Sequence, residues 1–241
     1  MDDITTTERP LARIRRQRIG EPRIADTLTR VHDEAAAHDR TRMHGVGTAA
    51  IERGASSEAD VADLLAEVYM SVDATNGRLL HLLALSRPVG RIVEFGTSMG
   101  ISTIYLAAAL TDDELPVLAT ELEAHKVEQA RSHLTEAGLD GRVDIVHGDA
   151  LTTLAGLGDP VSMVFLDGWK GVYLDVLRLL EPCLVPGALV VADDTEHPLL
   201  APQCAGYLAY VRDPANGYLS VRLPIDDGLE LSRWNGVIEG A

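Results

Sequence analysis

Between Arg91 and Ala192, five short apolar runs alternate with helix-patterned segments: Arg91–Phe95, Val117–Glu121, Val143–His147, Val161–Leu166 and Ala188–Ala192. Runs of this length, bounded by Gly, Pro and Asp, read as strands buried on both faces, the mark of a parallel sheet. The intervening Ser102–Leu110, Lys126–Ala137, Leu151–Leu157 and Val172–Leu180 read as crossover helices, and a further helix is expected within about Cys204–Arg212. Repeated βα units of this kind predict an α/β fold with a doubly wound, Rossmann-like, mostly parallel sheet. Leu219–Leu223 and Leu229–Trp234, joined by Pro224-Ile225-Asp226-Asp227-Gly228, read as an antiparallel C-terminal hairpin that brings the sheet to seven strands.

Upstream, the pattern from about Arg23 to Leu85 is helical, with breaks expected at Gly45–Gly47 and Gly54–Ser57. Ser57-Glu58-Ala59-Asp60 is placed to cap a helix continuing through Val61, Leu64, Leu65 and Val68. Residues 1–70 are therefore expected to form an N-terminal helical extension, an arm or cap that covers the active site or joins two subunits as a homodimer. Residues 71–241 form the main domain. Arg13, Arg15, Arg16 and Arg18 fall in the first ~20 residues, a terminal stretch of the kind that is often exposed.

With 241 residues, 46% of them apolar, the chain is long enough for one substantial core. Its 37 acidic against 21 basic residues, a net charge of -16, argue against nucleic acid or an anionic membrane as partner, because both reward clustered Lys and Arg. A small-molecule substrate is the expectation. Cys183 and Cys204 are too few for a disulfide framework, and no apolar stretch approaches the ~20 residues of a membrane span. The start Met1-Asp2-Asp3-Ile4 lacks the basic and apolar regions of a signal peptide, so a cytoplasmic protein is expected.

The last two parallel runs each close on acid. Asp167-Gly168-Trp169-Lys170 follows the fourth run, and Asp193-Asp194 follows the fifth. Adjacent parallel strands would deliver three carboxylates and a lysine to the sheet edge at which open α/β folds bind ligands. Three convergent carboxylates repel one another unless a positive charge sits among them, and an oxygen-only set favours Mg²⁺, or a related cation such as Mn²⁺ or Ca²⁺, over Zn²⁺. Lys170 is one of only two lysines, the other being Lys126, which sets it apart. After the first strand, Glu94-Phe95-Gly96-Thr97-Ser98-Met99-Gly100 leads into a helix; its glycines allow close approach of backbone to ligand, and the helix N-terminus suits a carboxylate. The spacing is not G-x-G-x-x-G, which disfavours a nicotinamide cofactor. Glu121, closing the second strand, is placed to accept ribose hydroxyls, and Gly148-Asp149-Ala150, closing the third, to frame an adenine edge.

Together these residues resemble the class I S-adenosylmethionine-dependent methyltransferases, specifically the metal-dependent catechol O-methyltransferase group, over about two-thirds of the chain from Met70 to Trp234. The match is sharpest in Val164-Phe165-Leu166-Asp167-Gly168-Trp169-Lys170-Gly171-Val172-Tyr173, Ala192-Asp193-Asp194, Leu208-Ala209-Tyr210-Val211-Arg212 and Asp227-Gly228-Leu229-Glu230. The resemblance implies Asp167, Asp193 and Asp194 as metal ligands and Lys170 as catalytic base. It implies that Glu230 contacts the substrate's second hydroxyl, with Trp169 and Pro198 in the pocket walls. Cofactor contacts would fall on Met70, Ser71, Val72, Glu94, Gly96, Ser98, Ser102, Glu121, Asp149 and Ala150. Three features depart from the animal catechol enzymes: Asp194 stands in place of Asn, Gly168 in place of a histidine near the adenine, and the chain after Asp194, where a substrate lid would lie, diverges.

The chemistry is consistent with that assignment. A phenol of pKa ~10 is mostly protonated at neutral pH, and coordination of vicinal oxygens by a divalent cation lowers that pKa. Two rival readings stand beside it. One is a metal-independent small-molecule N-, carboxyl- or O-methyltransferase, and the other is a non-catalytic S-adenosylmethionine-binding protein.

Overall fold

The computed structural model describes residues 17–53, 68–197 and 200–236. The expected Ser57–Asp60 cap with its helix through Leu65, the Arg13–Arg16 stretch and Pro198 lie outside the described residues. Helix α1 (Pro22–Arg53) and helix α2 (Ala74–Ser86) lead into strand β1 (Arg91–Phe95). There follow α3 (Ile101–Ala107), β2 (Val117–Glu121), α4 (Ala124–Ala137), β3 (Val143–His147), α5 (Ala150–Thr153) and β4 (Val161–Leu166). The chain continues through α6 (Tyr173–Leu180), β5 (Leu184–Ala192), α7 (Ala205–Arg212), β6 (Tyr218–Leu223) and β7 (Leu229–Trp234).

The seven strands form one sheet in the order β3-β2-β1-β4-β5-β7-β6. β1 to β5 are parallel, and β7 runs antiparallel between β5 and β6, as expected for a closing hairpin. Alternation of side chains splits the strands between two cores. On one face Ile92, Ala119, Met163, Phe165 and Val191 pack under α1 to α4; on the other Val93, Leu118, Val164, Leu166 and Val190 pack under α5 to α7. All six residues of β4 are buried, which is why its sequence is apolar without alternation.

Register decides where the chemistry falls. Phe95 pairs with Thr120 and Leu166, and Leu166 with Ala192. Gly96, Glu121, Asp167 and Asp193 therefore leave the sheet at one level, on its carboxyl edge.

Three expectations are corrected. α1 runs unbroken through Gly45 and Gly47, because a helix-interior glycine costs only about 1 kcal/mol and the flanking residues carry the turn. β5 begins at Leu184, ahead of the expected Ala188, and accommodates Pro186 and Gly187 where its register against β4 shifts between the Val161 and Met163 pairings. α5 is a single turn that stops at Thr153, ahead of Gly156 and Gly158. The first half of α1 buries Ile24, Leu28, Val31 and Ala35 in the same core as β1 and β2. Arg23 caps the end of α4 by donating to the carbonyls of Thr135 and Glu136, both at 2.5 Å. Among the described residues, no helix is long and apolar enough to cross a membrane.

Candidate active site

At the carboxyl edge the β1 turn and the β4 turn almost touch. Gly96 has φ +90°, and a Cβ there would lie 2.6 Å from the Gly168 nitrogen and 2.7 Å from the Asp167 carbonyl oxygen. Only glycine fits such a place. Gly100, at φ 86°, starts α3. Met70, Ser98 and Asp194 also hold positive φ, at 45°, 45° and 56°. Non-glycine residues in that region cost about 1–3 kcal/mol each and cluster where a site requires them.

The cleft so formed is lined by Tyr69, Met70, Ser71, Val72, Gly96, Ser98, Ser102 and Asp167, among others. Seven of these carry sequence-predicted roles. Its free volume, about 10 Å³, is far below the roughly 300 Å³ or more of ordinary ligand pockets. The Tyr69–Val72 segment is tied to the Gly96 loop by a Ser98 Oγ donation to the Tyr69 carbonyl at 2.6 Å. A larger hollow of about 520 Å³ lies along α1 at Asp26, Arg30, Glu34 and His38; none of the predicted site residues lines it.

Glu94 is fully buried and accepts from Ser102 Oγ and Thr103 Oγ1, both at 2.6 Å. Burial pushes its carboxyl up to about 7, despite those hydrogen bonds. Glu121 accepts from the backbone amides of Ser98, Leu122 and Glu123 at 2.8, 2.9 and 3.0 Å, which fixes it at the end of β2. Asp149 is the N-cap of α5, accepting from the Leu151 amide at 3.1 Å, and Ala150 behind it is buried.

The acidic cluster assembles around Lys170. Its Nζ lies 3.2 Å from Asp167 Oδ1, 3.0 Å from Asp194 Oδ2 and 2.8 Å from the Tyr173 hydroxyl. Asp193 accepts from the Asp194 amide at 2.9 Å. Burial raises Asp167 to about 7, with Lys170 opposing and Asp194 adding; burial likewise raises Asp193 to about 8, with Asp167 and Asp194 adding. Burial works against the charge of Lys170, yet Tyr173, Asp167 and Asp194 together hold its ammonium well above the ordinary lysine value.

These are the signs of a site with more negative charge than one lysine neutralises. Oxygen donors and surplus negative charge fit a divalent cation. Among the described residues, however, no three His, Cys, Asp or Glu side chains converge into a ready-made cation cage. Lys170 itself stands between two of the three aspartates.

Two other expected residues sit differently. Trp169 is half-buried at the turn leading to α6. Glu230, fully buried on β7 opposite Ala192, is held by Arg212 Nε and Nη2 at 2.9 and 2.6 Å and by Ser220 Oγ at 2.6 Å. Its carboxylate is thus engaged by α7 and β6 partners. Sequence reading missed Thr103, Tyr69 and Tyr173. The i to i+3 spacing of Lys170 and Tyr173 was the available signal; no pattern in the chain pairs Thr103 with Glu94 or Tyr69 with Ser98.

Comparison with known proteins finds methyltransferases. Residues 93–195 match the family model of a methyltransferase domain. Catechol O-methyltransferase from Mycobacterium tuberculosis is 35% identical over 126 residues, 52% of this chain and 57% of that protein. The enzyme of the same name from Niastella koreensis is 33% identical over 54% of this chain and 62% of its own length. The chain thus spans about three-fifths of the curated relatives it matches. Among solved structures, the O-methyltransferase TomG from Streptomyces achromogenes, in complex with S-adenosylmethionine, superposes with a TM-score of 0.60 at 29% identity, over 75% of this chain and 91% of that one. The fold is the Rossmann-like one of methyltransferases, and residues 93–195 are similar to their domain. Over the matched segments the chain is similar to O-methyltransferases, catechol O-methyltransferases among them.

Proposed function

We propose that the chain transfers a methyl group from S-adenosylmethionine to a hydroxyl of a catechol-like, vicinal dihydroxy small molecule, with a divalent cation held by Asp167, Asp193 and Asp194 and with Lys170 as base. The observation that carries this reading is one buried lysine paired with Asp167 and Asp194, with Asp193 next to them, beside a glycine-turn cleft at the carboxyl edge. A bound Mg²⁺ would lower the pKa of the hydroxyls it met.

The remaining work falls to the chain. Glu94, buried behind Ser102, is a counter-charge for the cofactor's ammonium. Glu121, its carboxylate fixed by three amides, retains lone pairs for ribose hydroxyls. The Tyr69–Val72 segment and the Gly96 loop enclose the cofactor and exclude water, which holds the methyl donor and acceptor in line. Lys170 is raised by carboxylates that lack another counter-charge. Once that charge is taken up, the burial that opposes its ammonium dominates, which is the condition for a base. Glu230 is proposed as the contact of the substrate's second hydroxyl, its carboxylate oriented by Arg212 and Ser220.

One observation favours a second reading: Lys170 already bridges Asp167 and Asp194, occupying two of the three carboxylates a cation would use, which suits transfer without one. The 1–70 extension is proposed as an arm or cap that covers the active site or joins two subunits as a homodimer; of it, α1 packs Ile24, Leu28, Val31 and Ala35 into the core. Lys170→Ala tests the base assignment. Most turnover should disappear while S-adenosylhomocysteine binding by calorimetry stays; unchanged turnover would remove Lys170 from the mechanism.

A further inference from the structure

Tyr173 is wholly buried, and its hydroxyl joins two parts of the site. It accepts from Lys170 Nζ at 2.8 Å and donates to the backbone carbonyl of Asp193 at 3.2 Å. Its ring is wedged edge-on between Phe95, 6.2 Å away centroid to centroid, and Tyr207, 5.8 Å away. The Lys170 nitrogen also lies 5.2 Å from the ring centroid. The phenol is therefore fixed by core packing, and the lysine's four-carbon stem ends against a rigid partner.

We propose that Tyr173 is a positioning residue whose hydroxyl fixes the reacting end of Lys170 and ties it to the carboxyl end of β5. The proposal rests on the assignment of Lys170 as base and adds the group that holds it. Asp167 and Asp194 are also the proposed cation ligands, so the lysine shares both carboxylate partners with the cation. The Tyr173 hydroxyl is a partner it does not share. A hydroxyl that gives its proton to the Asp193 carbonyl keeps lone pairs toward Lys170, and these accept equally from an ammonium or a neutral amine.

Tyr173→Phe retains the packed ring and removes only the hydroxyl. With just two lysines in the chain, protein carrying ¹³C at lysine Cε gives two resonances, Lys126 and Lys170, assigned by the loss of one in Lys170→Arg. In Tyr173→Phe the Lys170 resonance should shift and broaden while that of Lys126 stays. Turnover should fall about tenfold or more, as for one hydrogen bond to a charged group, with the KM for S-adenosylmethionine unchanged. In a Lys170→Ala background the same substitution should have no further effect.

An unmoved Lys170 resonance would overturn the proposal, as would equal losses in both backgrounds, which is what a merely structural tyrosine gives. The two assignments fail separately. Full turnover in Lys170→Ala alone removes the base and, with it, the role of Tyr173. An unmoved resonance alongside lost turnover in Lys170→Ala removes Tyr173 only.

Discussion

Replacing Glu94 with glutamine isolates the electrostatic tension of the cofactor site. The carboxyl is fully buried, with a pKa of about 7 against the ordinary 4.5. Because the folded-state value is raised, the folded protein retains a proton that the unfolded chain releases between those values. Stability therefore falls as pH rises from about 4.5 to 7 and levels off above. The full shift corresponds to about 3 kcal/mol, most of which falls between pH 5 and pH 8. For a chain of this size that is roughly 5–10 °C in melting temperature. Asp167 and Asp193 titrate in the same direction in both proteins, so the difference between wild type and variant reports Glu94 together with its repulsion of Asp167. Melting without cofactor or cation at pH 5 and pH 8 should show Glu94→Gln losing markedly less stability on the alkaline side. Parallel losses in the two proteins would refute the buried, protonated Glu94.

Three further outcomes follow from the geometry. Arg212→Gln strands the wholly buried Glu230 with Ser220 and should cost roughly 2–4 kcal/mol in urea unfolding, whereas Arg222→Gln, which breaks the exposed pair with Glu196, should cost less than about 1 kcal/mol. Gly96→Ala drives a Cβ into the Gly168 and Asp167 backbone at a φ that alanine resists; it should lower the melting temperature by several degrees and abolish cofactor binding in calorimetry. Mg²⁺ should raise the melting temperature more at pH 8 than at pH 5, because Asp167 and Asp193 retain protons up to about 7 and 8, and Asp167→Asn should lose most of that increment.

The parallel strands were legible because burial on both faces demands apolar runs, and four of the five begin and end where the pattern places them. β5 did not, since Pro186 and Gly187 disguise a strand that a register shift accommodates. The hairpin was marked by its turn residues, but the insertion of β7 between β5 and β6 depends on pairing that no local pattern encodes. Of the site, the strand-end acids and Lys170 could be placed from topology alone. The engagement of Glu230 by Arg212, and of Lys170 by Tyr173, arises from helices packing onto the sheet. Those contacts join residues whose sequence signals are ordinary helix and strand positions.

Transfer of labelled methyl from S-adenosylmethionine to a panel of catechols such as caffeic and protocatechuic acids, with Mg²⁺ or with EDTA, tests the central claim most directly. The account predicts transfer with Mg²⁺, its loss in EDTA, and recovery when excess Mg²⁺ is returned. Transfer that survives EDTA would contradict the assignment of Asp167, Asp193 and Asp194 to a catalytic cation.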